Sequence, residues 1–138
     1  AMKSLTESSA GESAERAYAM AAMGPSDIQM LQVYDAFTIN TILLLEDLGF
    51  VKKGDGGGFV AEGNIAPGGK LPVNTNGGGL SCCHPGMYGI FTLIEGTRQL
   101  RGDGGERQVE GIDTVLCHGI GGVFSSNATC ILGTEATL

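Results

Sequence analysis

A chain of 138 residues with a formal charge of −7 is long enough for one domain with a real core, and it has too few clustered cations for a nucleic-acid groove. Its 24 glycines far exceed the roughly ten that average usage gives, and they gather at turns without a collagen-like period. With no apolar leader core and no run near the roughly 18 residues of a membrane helix, the four cysteines (Cys82, Cys83, Cys117, Cys130) are expected as free thiols in a reducing cytoplasm.

Residues 1–12 are expected to be a disordered or appended N-terminus, and residues 13–138 one domain. In residues 13–23, Ala14, Ala17, Tyr18, Ala21 and Ala22 share a helical face, and Gly24-Pro25 ends it. Residues 30–37, apolar with β-branched and aromatic members, predict a buried strand. A helix follows over 38–48, closed by Gly49. Residues 52–71, with seven glycines, are expected as a loop of functional or lid-like character. A short strand is expected over 71–75 and a helix over 85–100, with Pro85 in its first turn. Strands over 114–118 and 123–132 are expected to be joined through residues 119–122, with Cys130 in the core. The order α-β-α-β-α-β-β predicts an α/β layered fold, a mixed sheet with helices on both faces. Because the order opens on a helix, a first strand is expected to be lacking.

Three segments carry candidate chemistry. In residues 74–86, Asn-Thr-Asn-Gly-Gly-Gly-Leu-Ser-Cys-Cys-His-Pro-Gly, the run Gly77-Gly78-Gly79 permits close backbone approach by a ligand. His84 is expected at a helix entrance, where the dipole favours neutral imidazole, a base or hydrogen-bond donor. A structural turn histidine is the competing reading. Cys117 ends a strand beside Gly119-Ile-Gly121-Gly122, where free N–H groups can depress a thiol pKa; the competing reading is a small buried hydrophobe. Tyr34 and Asp35 end the first strand, with Asp35 a candidate helix cap and Tyr34 expected at the same sheet edge as His84 and Cys117. The spacing of Cys82, Cys83, His84, Cys117 and His118 does not fit a zinc finger or ribbon, so no metal is expected. A dinucleotide loop fails because strand-like sequence, not a helix, follows Gly122.

Taken in order, Tyr34-Asp-Ala-Phe37, the glycine run with His84-Pro-Gly86, and Cys117-His-Gly-Ile-Gly-Gly122 resemble the C-terminal half of the thiolase superfamily over nearly the whole chain. The resemblance is closest to sterol-carrier or lipid-transfer-type acetyl-CoA acetyltransferases. Thiolases carry Asn-Glu-Ala-Phe, a glycine run with His-Pro-x-Gly, and Cys-x-Gly-x-Gly at these places. The resemblance implies that His84 bonds the thioester oxygen and helps activate the nucleophile. Cys117 would shuttle the α-carbon proton in Claisen condensation and its reverse, and Gly119, Gly121 and Gly122 would supply oxyanion N–H groups. Gly77, Gly78, Gly79 and Asp35 are expected to contact substrate. The substrate would be an acyl-CoA, with coenzyme A as co-substrate and no bound cofactor. The family's acylated cysteine lies in its N-terminal half. This chain is therefore expected to need such a half, in the same or another chain, to be inactive alone, and to be homo-oligomeric when complete. Tyr34 replaces the family's water-holding asparagine, and Gly86 comes one residue sooner than in His-Pro-x-Gly. A tyrosine there is similar to thiolase-like retro-aldolases, which pair with a zinc-ribbon/OB-fold protein. A noncatalytic assembly or lipid-binding subunit is the third reading.

Overall fold

The computed structural model describes residues 4–137; expectations for residues 1–3 lie outside the described residues. A three-stranded mixed sheet has the order β1 (Met30–Val33), β2 (Thr114–Gly121), β3 (Ser126–Gly133). β1 runs parallel to β2, with Gln32 opposite Cys117, and β2 runs antiparallel to β3, with Cys117 opposite Cys130. The strand expected over 71–75 contributes a single parallel bridge from Val73 to Leu31. β1 is therefore flanked on both edges, and the additional first strand has no counterpart among the described residues.

Strand alternation sorts the core into two layers. Leu31, Val33 and Leu116 pack beneath α1 (Ala10–Ala21) and α2 (Thr38–Asp47), with Ala10, Ala14, Tyr18, Leu44 and Leu48. Met30, Val115 and Cys117 face α5 (Gly89–Leu100), against Leu93, Leu100 and Leu132. Helices thus cover both faces, as the element order predicts. α1 begins three residues before the expected boundary, and the Ser8 backbone N–H and hydroxyl both bond Asp47 Oδ2, so residues 8–12 belong to the fold.

α5 buries Thr92, Glu95, Gly96 and Gln99, its small and polar stripe, and leaves Ile90, Phe91 and Ile94 about half exposed. The buried stripe is satisfied. Glu95 accepts from Arg107, Gln99 and Thr75. Gly96 lets the helix approach β2: a Cβ there would lie 2.7 Å from Cys117 Sγ.

Four expectations change. α5 starts at Gly89, not at residue 85, because Gly86 takes a left-handed φ of 75° and turns the chain before the helix. His84 is therefore not at a helix entrance, and the dipole does not act on it. The glycine-rich 52–71 stretch holds a helix, α3 (Gly56–Ala61), whose entry is fixed by Glu46 Oε1 accepting from the Gly54 and Gly56 N–H groups. Another short helix, α4 (Gly78–Ser81), lies inside the glycine run. Cys130 is exposed, because β3 is the sheet edge and that side of it is not covered.

Candidate active site at the carboxyl end of the parallel strands

Because β1 and β2 are parallel, their carboxyl ends open on the same side, the place where α/β sheets collect ligands. A cleft of about 290 Å³ lies there, walled by Tyr34 and Asn40 from the β1 side, His84 and Gly86 from the loop before α5, and residues 120–124 from the β2–β3 turn. Its other walls, Ala36, Phe37, Ile120, Val123 and Phe124, are apolar.

Tyr34 is the first residue past β1. Its N–H still donates to the His118 carbonyl, which holds the side chain at the sheet edge. The residue is buried, and its hydroxyl lies 2.7 Å from His84 Nδ1. The rings meet edge-on at 5.3 Å, and Tyr88 backs Tyr34 edge-on at 5.5 Å. Tyr88 is itself anchored by donating to Asn76 Oδ1, and burial pushes its hydroxyl up to about 12, so it stays protonated. His84 is solvent-exposed on its far side. The two sequence candidates, fifty positions apart, thus form one hydrogen-bonded pair.

The glycine run packs against the end of β1. Asp35 is buried, and its Oδ1 accepts from the Gly79 N–H at 2.6 Å. Gly78 has φ of 69°, and a Cβ on it would lie 2.0 Å from Asp35 Oδ2. Gly77, at φ of 92°, turns the chain into this contact. These residues do not line the cleft; they clamp the end of β1 to the segment that carries His84.

Cys117 is equally removed from the cleft. Parity along β2 puts its side chain beneath α5, where the thiol donates to the Thr92 carbonyl. Burial, with a smaller contribution from Cys130, pushes it up to about 12. That is opposite to the depression expected from neighbouring N–H groups, which the ladder employs elsewhere. The Thr114 and His118 carbonyls accept from the β1 side. By alternation Gly119 and Gly121 direct their N–H groups to β3, whereas the Ile120 N–H faces the β1 side. Ile120, Gly121 and Gly122 line the cleft, and Gly119 does not. The turn beyond is left-handed at three successive residues, Gly122, Val123 and Phe124.

His118 faces away from Cys117 and is fully buried between Thr129 and Asn127, at 2.9 and 3.0 Å. Asn127 Oδ1 is an acceptor, so in the neutral ring Nε2–H donates to it and Nδ1 accepts from the Thr129 hydroxyl. Ser13 extends the chain into α1. Burial lowers the His118 pKa to about 4 from an ordinary value of 6.5. In this window the unfolded chain binds a proton that the folded one refuses. Stability is therefore full above pH 6.5 and falls as pH drops to 4, by up to about 3 kcal/mol. Thermal melts over this range check this: the fall should shrink in His118→Gln. A wild-type melt flat from pH 6.5 to 4.5 would contradict it. Glu95, whose carboxyl burial would raise but Arg107, Gln99 and Thr75 lower on balance, loses its contribution only as pH falls below its ordinary value of 4.5.

Among the described residues no group of three or more His, Cys, Asp or Glu side chains could hold a metal ion, and no helix is long and apolar enough to cross a membrane.

A parallel-stranded α/β layer with a Tyr–His pair at its carboxyl edge and a Cys-His-Gly-Ile-Gly-Gly segment in the neighbouring strand defines one half of a thiolase-like fold. The sequence profile of the Thiolase C-terminal domain-like family matches residues 1–134, and the chain belongs to that family. It is similar to an acetyl-CoA acetyltransferase of Methanothermobacter thermautotrophicus, 44% identical over 119 residues, 86% of this chain and 31% of the relative. It is also similar to the 17-hydroxy-3-oxo-4-pregnene-20-carboxyl-CoA lyase of Mycobacterium tuberculosis, 41% identical over 99 residues, 72% of this chain and 25% of that one. Among solved structures, the Ltp2-ChsH2(DUF35) aldolase matches with a TM-score of 0.81 and 33% identity, over 91% of this chain and 32% of that one. The chain thus spans about a third or less of the length of these relatives.

Proposed function

We propose that this domain is the C-terminal half of a thiolase-like enzyme that breaks a carbon–carbon bond of a β-hydroxyacyl-CoA by retro-aldol cleavage. The observation that carries the reading is the 2.7 Å contact between the Tyr34 hydroxyl and His84 Nδ1 at the wall of an apolar cleft. In the reaction the Tyr34 proton moves to His84 Nδ1 as the Tyr34 oxygen takes the proton of the substrate β-hydroxyl. The new alkoxide collapses to a ketone or aldehyde, the Cα–Cβ bond breaks, and its electron pair forms the thioester enolate. Returning the proton from His84 by way of Tyr34 to the α-carbon releases the shortened acyl-CoA and restores the pair. On this reading the backbone N–H groups of residues 120–122, at the cleft wall, serve the developing oxyanion.

The outward apolar stripe of α5, Ile90, Phe91 and Ile94 with Met87 before it, supports a second half as the neighbouring layer, since a lone domain seldom exposes such a stripe. On this reading the isolated domain is inactive and the complete protein works in the cytoplasm as a homo-oligomer. The solved aldolase pairs Ltp2 with ChsH2, a DUF35 protein, and a zinc-ribbon/OB-fold partner for the present chain is part of the proposal.

A second reading, β-ketoacyl-CoA thiolysis and its reverse Claisen condensation, is favoured by the Cys-x-Gly-x-Gly motif and the similarity to an acetyltransferase. The buried, raised thiol of Cys117 weighs against it. The complete protein decides: offered a β-hydroxyacyl-CoA alone, it should yield a carbonyl product and a shorter acyl-CoA. Turnover only of a β-ketoacyl-CoA, and only with free coenzyme A, would refute retro-aldol cleavage.

A further inference from the structure

We infer that Asn40 is the specificity-determining residue of the cleft, and that it selects acyl groups carrying an oxygen function on an otherwise apolar body. The inference rests on the acyl-CoA reading above and concerns which acyl group is taken.

Asn40 stands in the first turn of α2, on the same helical face as Leu43 and Leu44, which are core residues. Its residue surface is 3% exposed. Its backbone N–H is used, donating to the Phe37 carbonyl, but its side-chain amide has no hydrogen-bond partner among the described residues. Nor is the amide sealed off: the one side-chain atom both fully enclosed and unpartnered among the described residues is Gln32 Oε1, so the Asn40 amide keeps its opening, and the opening is onto the cleft that Asn40 lines.

Each of the other side-chain amides in and around the core makes at least one hydrogen bond; Gln32 donates to Thr75, although its Oε1 has no partner. Asn64 donates to the Phe59 carbonyl and to Glu62. Gln99 serves Glu95 and both neighbours of Gln108. Asn127 bonds His118, Ser9 and the Phe124 carbonyl. A fold this consistent leaves an amide unpaired at a large cost unless something else pairs it. The side chains of Phe37, Ile120, Val123 and Phe124, which line the same cleft, offer dispersion and no hydrogen bonds. An occupant matched to them is apolar, with one polar atom where the amide looks. Because an amide both donates and accepts, that atom can be a hydroxyl or a keto oxygen. A site built to bond such an oxygen discriminates strongly against the analogue lacking it, since binding the analogue buries the amide unpaired.

The test uses the complete protein and non-reactive thioether analogues of acyl-CoA with the same cyclic acyl group: hydroxylated, keto-substituted, or plain hydrocarbon. Equilibrium binding in the wild type should favour at least one oxygenated analogue over the hydrocarbon by about tenfold or more, and the hydroxyl and keto arms identify which. In Asn40→Leu, affinity for that analogue should fall about tenfold to a hundredfold, the hydrocarbon should bind at least as tightly, and the preference should vanish. If Asn40→Leu does not fold, Asn40→Ala carries the same comparison. An unchanged preference in the folded variant, an equal loss for all three analogues, or a wild type with no preference overturns the inference while leaving the acyl-CoA reading intact. Failure of every analogue to bind overturns both.

Discussion

Gly78→Ala should cost the domain upwards of about 3 kcal/mol and lower its melting temperature by about 10 °C or more. Two penalties combine. The backbone at φ of 69° disfavours any side chain, and the new Cβ would fall 2.0 Å from Asp35 Oδ2, well inside contact distance. Asp35 cannot move aside cheaply: it is buried, and its other oxygen holds the Gly79 N–H. Since a domain of this size is stable by only some 5–15 kcal/mol, the loss is a large share of the total. Gly58→Ala is the control. Gly58 is helical, has no left-handed φ, and has nothing within 4 Å of where an added methyl would sit, so the change should be neutral or slightly stabilising. Equal melting temperatures for the two variants would show that the Asp35–Gly78 clamp does not hold the fold.

The second large effect is on rate. Tyr34→Phe in the complete protein should lower retro-aldol kcat by about 10²- to 10⁴-fold, the span that a positioned acid–base group contributes. The ring stays, and with it the edge-on packing on His84 and Tyr88, so the melting temperature should hardly change. A rate within about threefold of the wild type would show that the hydroxyl is not the proton carrier.

How much of this was legible in the chain differs from element to element. α2 and the β2–β3 pair follow from apolar pattern and glycine stops, and Tyr34 and His84 were both marked by their motifs. Their direct contact was not readable, because it is set by the parallel register and by a loop that leaves α5 to begin at Gly89. Cys117 shows a subtler gap. All of the first five residues of β2 are buried, so the strand has no polar alternation to reveal which side chain faces α5 and which faces α1. One step of parity separates a thiol under Thr92 from an imidazole beside Thr129. The glycine run signalled close approach, and the group that the structure brings against it is the Asp35 carboxylate from the end of β1. α3 is a helix in spite of three glycines because a glutamate of α2 caps it. Asn40 did leave a trace: a polar residue on the stripe that α2 otherwise fills with leucine.

The central claim is that the Tyr34–His84 pair, and not the Cys117 thiol, moves the proton when the carbon–carbon bond breaks. Cys117→Ser keeps a donor for the Thr92 carbonyl and removes thiol chemistry, so it can be set beside Tyr34→Phe in the complete protein with one β-hydroxyacyl-CoA. The measurement is the initial rate of carbonyl product release. Cys117→Ser should run at a near-wild-type rate, and Tyr34→Phe should lose at least about a hundredfold. The opposite pattern, an active Tyr34→Phe and a silent folded Cys117→Ser, would contradict the claim.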